Sequence, residues 1–416
     1  MKKILLTLVS VLSLSAYGQR TCGTDKKMAE FYAANPQAKA NREALKDYLV
    51  HNDYASSRRA GVVTIPVVVH VLYSSTAMNI SEAQIASQIK VFNDDFRKLN
   101  ADFNTVVPSY FQGNAADMEL AFCMATKKPD GSTTTGIERK SVTANFNFDD
   151  NYYKTSGLVA WDPTKYLNIW VGNMSADYLG WAYLPDSAGA AYDGLAIGYK
   201  QFGTTGTVVY PYNKGRTATH EIGHYFGLEH PWGSVEDYGN SPVKSNCGKT
   251  GWDDFCADTP ATYYPHFTKP TNVNIYTCVS TNNGAMFMNY MDYVQDNQMA
   301  FFTNGQKTIA QNTMVGPRAS LLNSNACSST MGVDDVEKSN SINIFPNPAV
   351  NYISIASPLV KINEVEIFGN DGRLVKRANI KNETDKIDVK NLPVGTYYVR
   401  TYDNGNFIKS MKFIKN

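Results

Sequence analysis

The chain has 416 residues, with 39 Lys and Arg side chains against 38 Asp and Glu, which gives a formal net charge of +1. This balance argues against a nucleic-acid-binding protein, because proteins that follow a phosphate backbone carry a surplus of basic residues. The length predicts two or three domains and is sufficient for a large buried core.

The N-terminal 18 residues have the features of a secretory signal peptide. Lys2 and Lys3 precede an apolar stretch from Ile4 to Ala16, and a small-x-small cleavage pattern, Ala16-Tyr17-Gly18, follows. The apolar stretch is too short to span a bilayer, and no later segment reaches 18 uninterrupted apolar residues. We therefore expect an exported protein without an integral membrane segment, in a compartment that permits disulfides.

Residues 19–60 form a polar, helix-prone stretch that ends in the dibasic pair Arg58-Arg59. The β-prone run that begins at Val62 marks the start of a different segment. We interpret residues 19–60 as a pro-segment, and a merely solvated N-terminal helix is the alternative.

Residues 61–325 predict one domain of mixed strands and helices, of the α+β or α/β class. The run from Val62 to Tyr73 is apolar on both faces, as in a buried strand, and Tyr166 to Gly172 and Gly194 to Tyr199 predict two more strands. A helix from about Thr217 to Leu228 follows them. Another helix is expected after the first strand, with Ser81 and Gln84 as a capping box and a buried face of Ile85, Ile89, Phe92, Phe96 and Leu99.

The composition then turns to Ser, Asp, Asn and Gly, so residues 326–341 are interpreted as a linker. Residues 342–416 contain short β-prone runs separated by turn dipeptides such as Asp371-Gly372 and Asn404-Gly405. Six or seven short strands in this length predict an all-β sandwich.

Three of the six histidines fall within one segment, His220-Glu221-Ile222-Gly223-His224-Tyr225-Phe226-Gly227-Leu228-Glu229-His230. On a helix, positions i and i+4 share a face, so His220 and His224 can direct two imidazoles at one metal ion. Gly227 permits a turn that brings His230 round as a third ligand. Three nitrogen ligands with an open fourth position are typical of a catalytic zinc site.

Glu221 stands beside the first of these histidines. A Zn²⁺ ion lowers the pKa of its bound water and polarises a scissile carbonyl group. Glu221 is then the group that takes the proton from that water and passes it to the leaving amine. The pattern predicts peptide-bond hydrolysis without a covalent intermediate, and a zinc protein that has lost its activity is the alternative.

The HExxHxxGxxH pattern resembles the signature of the metzincin zinc proteases. In that signature a segment called the Met-turn follows, and here it corresponds to Asn289-Tyr290-Met291-Asp292-Tyr293. Within that clan, residues 20–325 resemble the pappalysin family in its cytophagalysin or ulilysin-like branch. The resemblance implies an α+β catalytic domain with a mixed twisted sheet and a zinc helix. It is carried by Arg20-Thr21-Cys22-Gly23-Thr24, residues 84–100 (QIASQIKVFNDDFRKLN), residues 161–172 (WDPTKYLNIWVG), Gly215-Arg216-Thr217-Ala218-Thr219 and Asp258-Thr259-Pro260.

The resemblance assigns roles to three residues after the zinc helix. Met291 is expected to pack beneath the zinc without binding it. Tyr293 is expected to stabilise the tetrahedral intermediate, with a packing tyrosine as the alternative. Asp296 matches a position that lines the S1′ pocket in ulilysin-like enzymes and pairs with a basic P1′ side chain, with an ordinary surface aspartate as the alternative.

Cys22 resembles the cysteine switch of the family. A thiolate from the pro-segment can occupy the open zinc position and keep the enzyme latent until autolysis near Arg58-Arg59 releases it. The competing interpretation is that Cys22 forms a disulfide.

Five further cysteines are an odd number for pairing. The resemblance implies a disulfide between Cys247 and Cys278. The family's second disulfide uses a cysteine near position 298, where this chain has Gln298. Cys256 therefore pairs with Cys123 or Cys327, or remains free.

The segment between the zinc helix and the Met-turn is acidic, and relatives bind calcium there. Hard oxygen ligands suit Ca²⁺, although the spacing is not that of an EF-hand loop. Asp254 and Thr259 match best, and a solvated acidic loop is the alternative. The cluster consists of Glu236, Asp237, Asp253, Asp254 and Asp258 with Thr259.

The C-terminal module resembles the type IX secretion sorting domain, and a generic adhesion or carbohydrate-binding sandwich is the alternative. The stretches that carry the resemblance are Ile344-Phe345-Pro346-Asn347-Pro348, Gly372-Arg373-Leu374-Val375 and Leu392-Pro393-Val394-Gly395-Thr396-Tyr397-Tyr398.

Together these features predict a latent, secreted zinc endopeptidase, extracellular or at the cell surface, with calcium as a second candidate cofactor. We expect a monomer whose partners are protein or peptide substrates and the type IX secretion machinery. A catalytically inactive zinc-binding adhesion or matrix-binding protein is the alternative.

Overall fold

The computed structural model describes residues 21–52, 61–175, 178–233, 243–249, 252–279, 283–327, 341–358, 361–370, 373–382, 385–403 and 406–416. The chain divides into two compact units, Met1–Ser328 and Ser329–Asn416, which are described separately. The signal peptide, the Arg58-Arg59 pair and most of the predicted linker lie outside the described residues. No helix in the described ranges is long and apolar enough to cross a membrane.

Two helices of the predicted pro-segment precede the first strand. Helix α1 spans Thr24–Ala34 and α2 spans Pro36–His51, with Pro36 at the first turn, where its missing N–H is not needed. Few of their side chains are buried, but Met28 and Leu49 are each only 3% exposed. Both helices are thus attached to the rest of the unit by a few apolar anchors.

A six-stranded mixed sheet forms the centre of the first unit. Its strands are β1 (Val63–Tyr73), β2 (Leu120–Met124), β3 (Ile137–Ser141), β4 (Leu167–Gly172), β5 (Gly180–Ala182) and β6 (Leu195–Gly198). The order is β2-β1-β4-β6-β5, and β3 pairs with the second half of β1. All pairings are parallel except that of β5, the edge strand, which runs antiparallel to β6. The sheet is therefore mixed, as predicted.

The helices of this unit pack against the sheet around a large apolar core. They are α3 (Glu82–Phe96), the short helices α4 (Phe103–Val106), α5 (Ser109–Gln112) and α6 (Phe148–Asn151), and the longer α7 (Arg216–Tyr225) and α8 (Asn304–Val315). Single turns of 3-10 helix occur at Pro185–Ser187, Lys244–Asn246 and Asp296–Gln298, and a longer one at Ala319–Asn323. A disulfide between Cys123 and Cys327 joins β2 to the end of the unit.

Helix α3 differs from its prediction at both ends. Ser81 caps it by accepting from the Gln84 N–H at 3.1 Å, as expected. The Gln84 side chain, however, donates to the Phe202 carbonyl instead of completing the box. The prediction that Leu99 lies on the buried face is wrong: the helix ends at Phe96, and Leu99 is 68% exposed.

The second unit is all-β, with two antiparallel sheets in the orders β10-β9-β12-β13 and β11-β8-β7. Apolar side chains from both sheets share one core, which confirms the predicted sandwich. The strands are β7 (Asn343–Phe345), β8 (Tyr352–Ala356), β9 (Glu364–Gly369), β10 (Leu374–Asn379), β11 (Ile387–Asp388), β12 (Gly395–Asp403) and β13 (Asn406–Lys415). The short strand β11 was not predicted, because two residues carry no periodicity.

Candidate metal centre

Helix α7 presents two histidines to one point. All ten of its residues are buried, and His220 and His224 lie one turn apart on one face. The helix ends at Tyr225, and Gly227 adopts φ +90°, a conformation that side chains rarely tolerate. The chain reverses there and returns His230 to the same point.

The three imidazoles converge closely. The Nε2 atom of His224 lies 3.2 Å from that of His220 and 3.1 Å from that of His230. Nδ1 of His220 faces the Tyr290 carbonyl at 2.7 Å, and Nδ1 of His224 faces the Leu228 carbonyl at 2.7 Å. Since a carbonyl only accepts, both Nδ1 atoms must donate, and both Nε2 atoms must carry lone pairs.

Lone pairs so close together repel each other unless a cation lies between them. Burial lowers the pKa of His224 to about 3 and that of His230 to about 4, so both rings stay neutral, the form that binds a metal. Donation from Nδ1 to a carbonyl is also the usual orientation of a metal-binding histidine. The residues present therefore fit a zinc ion.

Cys22 and Glu221 complete this cluster. The thiol of Cys22 lies within 4.8 Å of the ligand atoms of the three histidines and donates to Glu221 Oε2 at 3.3 Å. The Thr24 hydroxyl donates to the same oxygen at 3.2 Å. The Gly23 N–H donates to the Gly180 carbonyl on β5 at 2.9 Å, which places the pro-segment along the edge strand. Cys22 is a free thiol, so its assignment to a disulfide is wrong.

The Met-turn lies directly beneath the histidines. A Cβ atom at position 223 would overlap the sulfur of Met291, so Gly223 allows the two segments to approach. The ring of Tyr293 lies 5.0 Å from that of His230 and 5.7 Å from that of His220, measured between centroids. The structure thus brings Met291 and Tyr293 to the three histidines.

Asp296 lies at the other end of helix α7. Its Oδ2 accepts from the N–H groups of Lys214 at 2.8 Å and Arg216 at 3.3 Å, and the residue is fully buried. The alternative of an ordinary surface aspartate is therefore wrong. A carboxylate at this end also favours the helix, because the N–H groups give it a positive dipole.

Comparison with known proteins identifies the family of this chain. Residues 150–315 match the family model described as pregnancy-associated plasma protein-A, of the peptidase M43 type. A promirolysin mutant from Tannerella forsythia is 38% identical, with a TM-score of 0.62 over 73% of this chain and 97% of that one. The chain belongs to the pappalysin family. Its first unit thus contains a metzincin catalytic domain.

Two further matches concern the maturation and the secretion of this pappalysin. Mature mirolysin from the same organism, in complex with a cleaved peptide, is 40% identical, with a TM-score of 0.56 over 64% of this chain and 97% of that one. An extracellular metalloprotease from Colletotrichum graminicola is 26% identical over 77% of this chain and 98% of its own length. The pappalysin is a metalloendopeptidase made as a zymogen precursor, and not an inactive adhesion protein.

The C-terminal module also has a match. Residues 343–416 correspond to the secretion system C-terminal sorting domain. This confirms the type IX sorting domain and secretion to the extracellular space or cell surface, and it excludes a generic adhesion or carbohydrate-binding sandwich.

A second attachment of the pro-segment was missed from the sequence. Arg42 on α2 pairs with Asp186 at 2.7 Å and with Glu229, and Lys46 pairs with Glu229 at 3.2 Å. Burial lowers the pKa of Arg42, but these two carboxylates outweigh it and raise that pKa. The pro-segment is therefore anchored to the residue that precedes His230. Its partners lie more than 140 positions away in the chain, so no local pattern could reveal them.

Helix α3, which contains most of residues 84–100 quoted for the family resemblance, holds helix α7 in place. The Gln88 side chain donates to the Gly215 carbonyl at 2.9 Å, just before α7 begins. Buried Asp95 accepts from the Thr219 hydroxyl at 2.9 Å and from the Tyr290 hydroxyl at 2.7 Å. Asp95 thus connects α3, α7 and the Met-turn.

The acidic segment contains unpaired oxygen atoms. Among the described residues, Oδ2 of Asp254 and the hydroxyl of Thr259 are buried without a hydrogen-bond partner. Asp258 is already engaged by the Thr303 hydroxyl at 2.8 Å and the Gly305 N–H at 3.0 Å. Glu236 and Asp237 lie outside the described residues. Unpaired, buried carboxylate and hydroxyl oxygens fit a hard cation such as Ca²⁺.

Cys247 and Cys278 form a disulfide that closes this segment, with a Cα–Cα distance of 5.4 Å. Cys256 is a buried free thiol, because Cys123 and Cys327 pair with each other. Of the alternatives for Cys256, the structure shows the one without a disulfide.

Proposed function

We propose that this pappalysin is a zinc endopeptidase in which His220, His224 and His230 hold the metal and Glu221 is the general base. The observation that supports it is the convergence of three buried imidazoles beside the buried Glu221 carboxylate. When bound there, zinc lowers the pKa of a water molecule and polarises the substrate carbonyl.

The residues of the chain perform the remaining steps. Glu221 accepts the proton of the attacking water and delivers it to the leaving amine. Tyr293, whose ring lies beside those of His220 and His230, donates a hydrogen bond to the oxygen that becomes negatively charged. No side chain forms a bond to the substrate carbon.

Latency follows from the position of Cys22. Its sulfur lies within 4.8 Å of the ligand atoms of the three histidines, where it would be the fourth ligand of a bound zinc ion. Its thiol and the Thr24 hydroxyl both donate to the same oxygen of Glu221. The pro-segment therefore blocks the metal and the base together. Cleavage near Arg58-Arg59 releases both.

Replacement of the base tests this mechanism. We expect Glu221→Gln to lower kcat for peptide hydrolysis by about 100- to 10,000-fold, because the proton acceptor is lost. The zinc content, measured by mass spectrometry after removal of the pro-segment by trypsin, should not change. Glu82→Gln, an exposed glutamate on α3, is the matched control. Full activity of Glu221→Gln would refute the mechanism.

We further propose that Asp296 favours a basic P1′ side chain. Its support is a buried carboxylate that accepts from the Arg216 N–H at the start of α7, the helix that carries His220. A carboxylate can pair with arginine. A role restricted to capping α7 is the competing possibility.

The variant Asp296→Asn separates the two roles, because its amide oxygen still accepts from the backbone while the charge is lost. We expect the ratio of kcat/KM for Arg over Leu at P1′ to fall by about tenfold or more. Matched peptide pairs measure that ratio. An unchanged ratio with a lower thermal stability would leave only the capping role.

We also propose that Ca²⁺ binds at Asp254 and Thr259, whose unpaired oxygens are the supporting observation. Calcium binding to the folded state should raise the midpoint of thermal unfolding. Burial makes the charge of Asp254 costly unless a cation neutralises it. Asp254→Asn removes that charge, so the variant should lose most of the rise. Calorimetry with Ca²⁺ or Mg²⁺ measures the effect, and an equal rise in the variant would exclude this site.

A further inference from the structure

His266 and Asp292 form a buried pair that the mechanism above does not use. His266 lies in the loop between Thr262 and Thr277, which pair with each other, and Asp292 lies in the Met-turn. The two side chains are each 1% exposed, and Nδ1 of His266 lies 2.7 Å from Oδ2 of Asp292.

The partners of His266 determine its protonation. Nδ1 faces a carboxylate, and Nε2 faces the Ile275 carbonyl at 3.0 Å, so both nitrogens must donate. Burial lowers the pKa of His266, but Asp292 and the Ile275 carbonyl outweigh it and raise that pKa. The pair is therefore an imidazolium and a carboxylate, flanked by the rings of Tyr276 and Phe287.

The second oxygen of Asp292 fixes the backbone of the Met-turn. Its Oδ1 accepts from the N–H of His266 at 2.9 Å and from the N–H of Tyr293 at 2.7 Å. The carboxylate thus joins the loop to the residue proposed to stabilise the developing negative charge. Asn289, at the start of the Met-turn, has a different partner: its side-chain amide donates to the side-chain oxygen of Gln306 at 2.9 Å.

We propose that His266 is a positioning residue for Tyr293 and acts through Asp292. This inference rests on the proposed role of Tyr293. His266 holds Asp292 in the rotamer that receives the Tyr293 N–H, and this contact sets the position of the tyrosine ring beside the rings of His220 and His230. Displacement of a catalytic group by a fraction of an ångström lowers kcat more than it changes KM.

Two substitutions at His266 divide its contacts. The amide nitrogen of asparagine occupies the place of Nδ1 and can donate to Asp292, whereas that of glutamine occupies the place of Nε2 and can donate to Ile275. Positioning through Asp292 therefore predicts that His266→Asn retains more activity than His266→Gln. A histidine that merely fills space predicts the opposite order or no difference, because glutamine is closer in size.

The experiment measures kcat and KM of the zinc-loaded enzyme after trypsin processing, for His266→Gln, His266→Asn, Tyr293→Phe and the double variants. We expect His266→Gln to lower kcat by about 10- to 100-fold with little change in KM, and His266→Asn to recover most of that loss. Combined with Tyr293→Phe, His266→Gln should lower kcat no further, since coupled residues are not additive.

The outcomes distinguish this inference from the proposed function. A full additive loss in the double variant, or equal activity of the Asn and Gln variants, would overturn the positioning role while leaving the zinc mechanism intact. An unchanged kcat for Tyr293→Phe would instead refute the proposed role of Tyr293 and the inference with it. If His266→Gln fails to fold, the kcat of His266→Asn decides: it must be nearly that of the wild type, and a large loss would overturn the positioning role.

Discussion

The structure depends on three imidazoles that converge on one buried point. The fold holds two of these rings by hydrogen bonds from behind and brings the third by a turn of the chain. The Tyr290 carbonyl and the Leu228 carbonyl fix His220 and His224, and the turn at Gly227 delivers His230. The Met-turn therefore contributes to the metal centre through its backbone. Asp95 in turn accepts from the Tyr290 hydroxyl, and Asp292 accepts from the backbone N–H of Tyr293.

We propose that latency uses the same centre and adds a second attachment at a distance. Cys22 and Thr24 contact Glu221, the proposed general base, while Arg42 and Lys46 bind Glu229, the neighbour of His230. Glu229, which both ion pairs share, is largely shielded from solvent, since its side chain is only 3% exposed. The inhibitory segment is thus held at both ends by contacts to the metal-binding segment and its surroundings.

Local patterns in the sequence predicted what depends on local geometry. The i and i+4 spacing of His220 and His224 predicted their shared face, and the apolar run from Val62 to Tyr73 predicted a buried strand that begins one residue later. The contact between Cys22 and Glu221, 199 positions apart, was accessible only through the family resemblance. Arg42 with Asp186, and His266 with Asp292, had no signature, because a single charged residue in a helix or loop does not indicate its distant partner.

The central claim is that the precursor holds zinc with three imidazoles and the Cys22 sulfur. X-ray absorption spectroscopy at the zinc edge of the full-length precursor tests it most directly. The account predicts three nitrogen ligands at about 2.0 Å and one sulfur at about 2.3 Å, with the sulfur replaced by oxygen after removal of the pro-segment. A precursor whose zinc has only nitrogen and oxygen ligands would contradict it.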